Sequence, residues 1–364
     1  MFFQGRRELL SLAAALAFTR QVAAQKNGHK SSAVVAKTEL VSVVTSRVNP
    51  YHEFWCRGGE QCAAHFGLPY SVIQTEGKFR RFGFPQIQET IGRTSANVVF
   101  NIDAPNDLAD LQALADLCSG KRVRFVTQNS MPPSNARPWS PKFGSPYYVA
   151  HIDYDQQLAG YKTGRYLIST LGGRGGILAL TGPPTDRFAA KRLVGLIQAI
   201  AMAPRCFLLL QPANAEWEAS ASYDITRGLI AQAGVDRVAG IWAANDDMAL
   251  GAAEAVALYG QRVPITGIDG LDAAVAAVQS GTLAATIAWS ASWQGGIGLS
   301  LALGAHTGLV DPVKEPHSHR AFFAPFDLVT SDSVLDFVSD RDTRNALTDW
   351  RDYWGRSTGP IPDS

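Results

Sequence analysis

The chain has 364 residues, of which 46% are hydrophobic and 18% charged, with a formal net charge of +1. That length suffices for two α/β domains with a substantial buried core, and the near-neutral balance excludes the electrostatic footprint of a nucleic-acid or acidic-membrane binder. The four cysteines (Cys56, Cys62, Cys118, Cys206) are too few for a disulfide scaffold at this size.

Residues 1–24 read as a signal peptide and not as fold. Arg6 and Arg7 open it, Leu9 to Phe18 forms a short apolar run, and Val22-Ala-Ala24 places small residues before a cleavage between Ala24 and Gln25. An ordinary N-terminal helix is the alternative. The arginine pair leaves both a general secretory and a twin-arginine signal open. No later run reaches the ~18 consecutive apolar residues of a membrane span, so the mature chain is expected to be exported and soluble. Residues 25–37 are polar and read as a disordered lead-in.

From there strands and helices alternate. Leu40 to Thr45 reads as a strand and Pro50 to Phe66 as an amphipathic helix. Tyr70 to Gln74, Asn97 to Ile102 and Val123 to Thr127 read as strands, with helices near 84–94 and 107–119. A Pro-rich loop follows at 131–141, long enough to cover a site. The second run comprises strands Tyr148 to Ile152, Gly176 to Leu180, Cys206 to Leu210, Val238 to Ala243 and 263–268. Helices at 156–171, 187–202, 217–233, 245–259 and 271–280 separate them. This spacing implies right-handed βαβ units in parallel sheets covered on both faces, and too many strands for one sheet. Cys56 and Cys62 share one helix with Cα atoms ~9 Å apart, too far to bridge, so buried free thiols are expected.

Polar groups recur at strand carboxyl ends, where open α/β sheets bind ligands. Trp242-Ala-Ala-Asn245-Asp246 leads a strand into a helix with a strong N-cap signal. Pro264-Ile-Thr-Gly-Ile-Asp269-Gly270 ends a second strand, and Gly281-Thr-Leu-Ala-Ala-Thr-Ile-Ala-Trp289 is a third. The glycine cluster Gly172 to Gly176 ends a helix and opens a strand, the reverse of a dinucleotide-binding turn. His317-Ser-His319 falls in a Pro-flanked loop without a third ligand at metal spacing, and no Gly-x-Ser-x-Gly elbow is present. Binding without catalysis is therefore expected, with no metal and no cofactor.

These segments resemble the periplasmic sugar-binding proteins of the ribose-binding type, the receptors of ABC importers, from about Leu40 to Leu335. Asn245-Asp246-x-Met248-Ala249-Leu250-Gly251, Gly267-Ile-Asp269-Gly270 and Gly281-x-Leu-Ala-Ala-Thr286 carry the resemblance most specifically. Asp155 to Gly160, Lys191 to Gly195 and Asn49-Pro50-Tyr51 add to it. Repressors of the lactose-repressor type share the fold but open with a helix-turn-helix, whose place the signal peptide takes here. The resemblance implies two doubly wound parallel-sheet α/β lobes joined by a three-crossover hinge, the type I periplasmic binding protein fold. The N-terminal lobe would comprise 38–153 and 289–325, the C-terminal lobe 154–288 and 326–340, and a tail 341–364. It also implies a monomer in the periplasm that clamps a sugar-like or polyol-like ligand and delivers it to an ABC permease.

The ligand-binding residues expected on this basis are Asn49, Tyr51, His52, Trp55, Asn129, Arg192, Asn245, Asp269 and Trp289. Asp155 would orient the hinge, and Gly270 would let the backbone approach the ligand. Asn129-Ser130 stands where the family usually has an Asp-Arg pair, and Trp289 where a Gln is usual, which suggests a stacking wall. Gln128-Asn129, Glu53 to Arg57 and Phe326 to Thr330 also resemble the autoinducer-2 receptor branch. That likeness keeps open a sensing subunit that signals to a membrane histidine kinase.

Overall fold

The computed structural model describes residues 38–46, 50–105, 107–129, 134–346 and 348–362. The signal peptide, the lead-in, Asn49, Ser130 and the start of the Pro-rich loop lie outside the described residues. The first sheet is built from β1 (Glu39–Val44), α1 (Pro50–Phe66), β2 (Tyr70–Gln74), α2 (Phe84–Arg93), β3 (Val98–Asp103), α3 (Leu108–Lys121), β4 (Arg124–Gln128) and β5 (Tyr148–Asp153). The chain then passes through α4 (Gln156–Thr170), β6 (Arg174–Thr181), α5 (Arg187–Ala201), β7 (Arg205–Leu208), β8 (Ala213–Asn214), α6 (Ala219–Ala233), β9 (Gly240–Ala243) and α7 (Asp246–Ala257). It continues with β10 (Ile265–Asp269), α8 (Asp272–Gln279), β11 (Ala285–Trp289), α9 (Ala291–Thr307), α10 (His317–Arg320), β12 (Ala321–Phe323), β13 (Phe326–Thr330) and α11 (Val334–Ala346).

Two sheets result. One has the order β12-β5-β4-β3-β1-β2 and is parallel throughout; the other runs β13-β11-β10-β9-β6-β7, with β8 also on β6 and only β13 antiparallel. Period-two alternation sorts the first sheet's side chains to two faces. Leu40, Val99 and Val126 pack with α9 residues on one face, while Val41, Phe100 and Phe125 pack with α2 and α3 residues on the other. A single core fills the second lobe around Leu178, Ile241 and Ile268. All four cysteines are buried and none is in a disulfide.

Three crossovers form the hinge, at β5 to α4, β11 to α9 and β12 to β13. Asp155 caps α4 at the first, accepting from the Leu158 amide at 2.8 Å. Trp289 closes β11 of the second sheet instead of opening the first lobe's return segment, and α11 continues past 340 to Ala346. Residues beyond it return to the first lobe, where Phe322 pairs with Pro360 antiparallel. Two local readings are corrected. His317 to Arg320 form one helical turn where a loop was expected, started by Pro316 in an extended conformation with φ −64. α6 begins at Ala219, because Glu216 and Trp217 take left-handed φ values of 51° and 67° that a helix cannot contain. No helix among the described residues is long and apolar enough to cross a membrane.

Candidate functional site

Strands of both sheets deliver their carboxyl ends to one cleft. On the first lobe, Asp103 is the last residue of β3, Thr45 and Asn129 follow β1 and β4, and Tyr51 and His52 lie in the first turn of α1. Asp103 Oδ2 accepts from Thr45 Oγ1 at 2.7 Å and pairs with His52 Nε2 at 3.1 Å, while Oδ1 accepts from Asn129 Nδ2 at 3.0 Å. Burial by itself would push this carboxyl up, but the bonds from His52, Asn129 and Thr45 outweigh it and hold it below the usual range. Asn129 takes φ 56°, a left-handed conformation that asparagine tolerates. The Tyr51 hydroxyl lies between Asn129 Oδ1 at 3.0 Å and Gln294 Oε1, and its burial raises its pKa well above normal.

The second lobe presents a different wall. Arg192, buried on α5, donates from Nε to Gln156 Oε1 at 2.8 Å, from Nη1 to the Ala244 carbonyl at 2.5 Å and from Nη2 to Asp269 Oδ1 at 3.2 Å. Its guanidinium carbon stands 5.5 Å from the Trp217 ring and 5.4 Å from the Trp289 ring. The Trp289 indole N–H donates to the same Asp269 Oδ1 at 2.9 Å. Trp289 is further fixed by Tyr154 and Phe326, at ring distances of 4.5 and 5.3 Å. Burial raises the Asp269 carboxyl despite Arg192 and Trp289, which pull the other way. Asp269 sits at φ 141°, in a region that favours glycine, so its backbone is strained where the side chain enters the cleft.

Between the walls lies a cavity of about 470 Å³, within the ~300–1,000 Å³ usual for small-molecule sites. Of the residues expected at the site, Tyr51, His52, Asn129, Arg192, Asn245, Asp269 and Trp289 line it. Asn245 also caps α7, accepting from the Met248 amide at 2.9 Å, and donates to the Trp217 carbonyl at 3.2 Å. Asp246 is structural: it accepts from Thr286 Oγ1 at 2.6 Å and from the Leu271 amide at 2.9 Å.

Trp55 departs from expectation. It shares a helix face with Tyr51 but sits one turn deeper, ~6 Å along the axis, where it is fully buried and donates to Gln128 Oε1 at 2.7 Å. It belongs to the floor beneath the cleft. Gly270 also serves packing instead of ligand approach: its φ is 72°, and a Cβ there would lie 2.4 Å from Ala288 Cα in the hinge strand.

Thr45, Asp103, Tyr154, Gln156, Phe188, Trp217 and Leu271, none of them anticipated from the sequence, complete the lining together with Asp186 and Asp247. Asp103 was within reach of the rule that found Asp269, had the strand been extended one residue past Ile102. Asp186 carried a helix-cap signal, realised in its bond from the Phe188 amide at 2.7 Å. Trp217 had no local signal, because a left-handed bend places it.

Two hinged α/β lobes closing on one polar, aromatic-walled cavity define a solute-binding receptor. Comparison with known proteins agrees with that class. A family model described as a periplasmic binding protein domain matches residues 104–308. The ribose import binding protein of Haemophilus influenzae is 36% identical over 273 residues, 75% of this chain and 87% of that protein. A solved structure described as a twin-arginine translocation pathway signal protein from Burkholderia phytofirmans is 33% identical, with a TM-score of 0.78 over 90% of this chain and 99% of that one. An ABC transporter periplasmic solute binding protein from Actinobacillus succinogenes, at 20% identity and a TM-score of 0.70, covers 82% of this chain and 100% of that one and shows the same fold. The chain belongs to the periplasmic binding protein family, with the type I two-lobe architecture.

Proposed function

We propose that the cleft binds a neutral sugar or polyol and that the receptor hands it to a membrane ABC permease. The observation that carries this is the pairing of one hydrogen-bonding wall, Asp103 with His52 and Asn129, with a second in which Arg192 and Asp269 lie beside Trp217 and Trp289. Planar charged groups suit pairs of hydroxyls, and indole faces suit the C–H faces of a ring. Asp103, Asp186, Asp247 and Asp269 face the cavity against one guanidinium and one imidazole, which disfavours sugar acids and sugar phosphates. Relatives named for ribose import, xylitol binding and D-allose binding support the class.

The receptor works in the periplasm after removal of residues 1–24. Arg6-Arg7, together with the name of the 33% identical solved relative, favours the twin-arginine route. It binds without turning its ligand over. The test is thermal unfolding of the mature protein with D-ribose, D-allose, xylitol, a sugar acid and a sugar phosphate. A ligand at 100 times its dissociation constant adds ~2.7 kcal/mol. A shift with a neutral compound alone is expected; a shift confined to the anions would sink the reading.

A further inference from the structure

Hinged receptors open and close by rotating about the crossovers, and any connection placed off that axis restricts the rotation. The C-terminal segment makes such a connection. α11 is anchored in the second lobe, where Val334 is buried and Phe337 packs against the core. Trp350, 4% exposed, is buried in the first lobe's core. Ala346 and Trp350 are separated by four peptide steps, so their Cα atoms stand at most ~14 Å apart whatever the lobes do.

The anchor in the first lobe is extensive. The Trp350 ring fills the space a side chain would take at Gly296, where a Cβ would come within 2.2 Å of it, and Ser300 Oγ donates to the Trp350 carbonyl. Gly296 and Ser300 lie ~8 and ~14 Å along α9 from the hinge crossover at Ala291, so the attachment is off the axis. Further on, Trp354 stacks on His319 with ring centroids 4.1 Å apart and donates to its carbonyl at 3.1 Å. The tail then adds an edge to the first sheet, with the Phe323 amide donating to the Gly359 carbonyl at 2.9 Å and the Ile361 amide to the Ala321 carbonyl at 3.0 Å. Between these anchors Arg356 reaches back to the hinge, where Nη2 donates to Ser290 Oγ at 3.4 Å.

We infer that residues 348–362 are a strap, a fourth connection between the lobes that limits how far the ligand-free receptor opens. It regulates the same cleft as the proposed function, and its effect on affinity rests on that reading. By excluding wide-open conformations it raises the fraction of receptor near the closed, binding-competent state. The aromatic tail is therefore a stop built from the receptor's own chain.

Small-angle scattering tests this on the mature receptor without any ligand. A flexible Gly/Ser insert of about six residues between Leu347 and Thr348 lengthens the strap while leaving both anchors in place. The expected result is a larger radius of gyration than that of the unmodified receptor, and roughly three- to tenfold weaker binding of whichever of D-ribose, D-allose or xylitol the receptor binds. Deletion of Thr348 shortens the strap and should shrink the ligand-free radius, which keeps the question open to test even where the insert disturbs folding. Unchanged ligand-free dimensions in either variant would overturn the strap. Failure of all three compounds to shift the melting of the unmodified receptor would strike the sugar reading alone.

Discussion

Asp103 and Asp269 occupy equivalent positions, each the last residue of a strand at the cleft, yet their chemistry diverges. Asp103 has three protein donors spread over both oxygens and is held below the usual carboxylate range. Asp269 receives Arg192 and Trp289 on one oxygen only, lies close to the buried Asp246, and is raised. Asp153, at the end of β5, is the limiting case: buried, with the Tyr154 amide on Oδ1 at 2.7 Å, it is pushed up to about 6. Three carboxylates at strand ends thus shift in different directions, according to how many donors the fold sets against the cost of burial. Under the proposed function, Asp269 would offer ligand hydroxyls the oxygen that Arg192 and Trp289 leave unused.

The largest effect is expected of Asp269→Ala. It should remove roughly 2–5 kcal/mol of ligand affinity and abolish ligand-dependent stabilisation in thermal unfolding; retained binding would take Asp269 out of the site. Titration sharpens the same point. Because Asp269 is raised, acidification should protonate it before Asp103 and weaken binding, and Asp269→Asn should flatten that acid limb of an affinity-versus-pH curve.

Asp153→Asn comes next and acts on stability. A folded pKa of about 6 against ~3.9 unfolded means ionised Asp153 destabilises the fold above that value. The asparagine variant should therefore be more stable by up to about 3 kcal/mol at pH 8. The gain should fade as pH drops through about 6 and be gone near 4, read from denaturant midpoints across pH.

Asp103→Asn should do the reverse, costing about 1–3 kcal/mol at neutral pH by leaving buried donors poorly matched. Since its folded pKa is depressed, the wild-type advantage is present above the unfolded value and disappears as pH falls through the folded one. The smallest effect expected is that of Trp55→Phe, about 1–2 kcal/mol from the lost bond to buried Gln128. Calorimetry should find its ligand affinity unchanged, and a large affinity loss would return Trp55 to the site.

Much of the architecture was legible because it rests on local periodicity. Alternating apolar strands and amphipathic helices announce parallel sheets, and caps such as Asp155 and Asn245 announce helix starts through bonds to amides three residues away. Asp269, Arg192 and Trp289 were legible through motif and resemblance. Tyr51 and Trp55, by contrast, sit four residues apart on one helix face and look equivalent in one dimension; only the depth of α1 against the sheet makes one a wall and the other a floor.

Most element types, the two-lobe class and the strand ends where polar groups gather were written in the chain itself, since these follow from neighbours a few residues apart. Which carboxylates are satisfied depends on packing. The donors to Asp103 come from 58, 51 and 26 residues away. Packing also decided where the aromatic tail lands, because Gly296 opens a gap for Trp350 that no local pattern encodes. Bonds and contacts between residues distant in the chain exist only once the lobes have packed, and the properties they control were settled there.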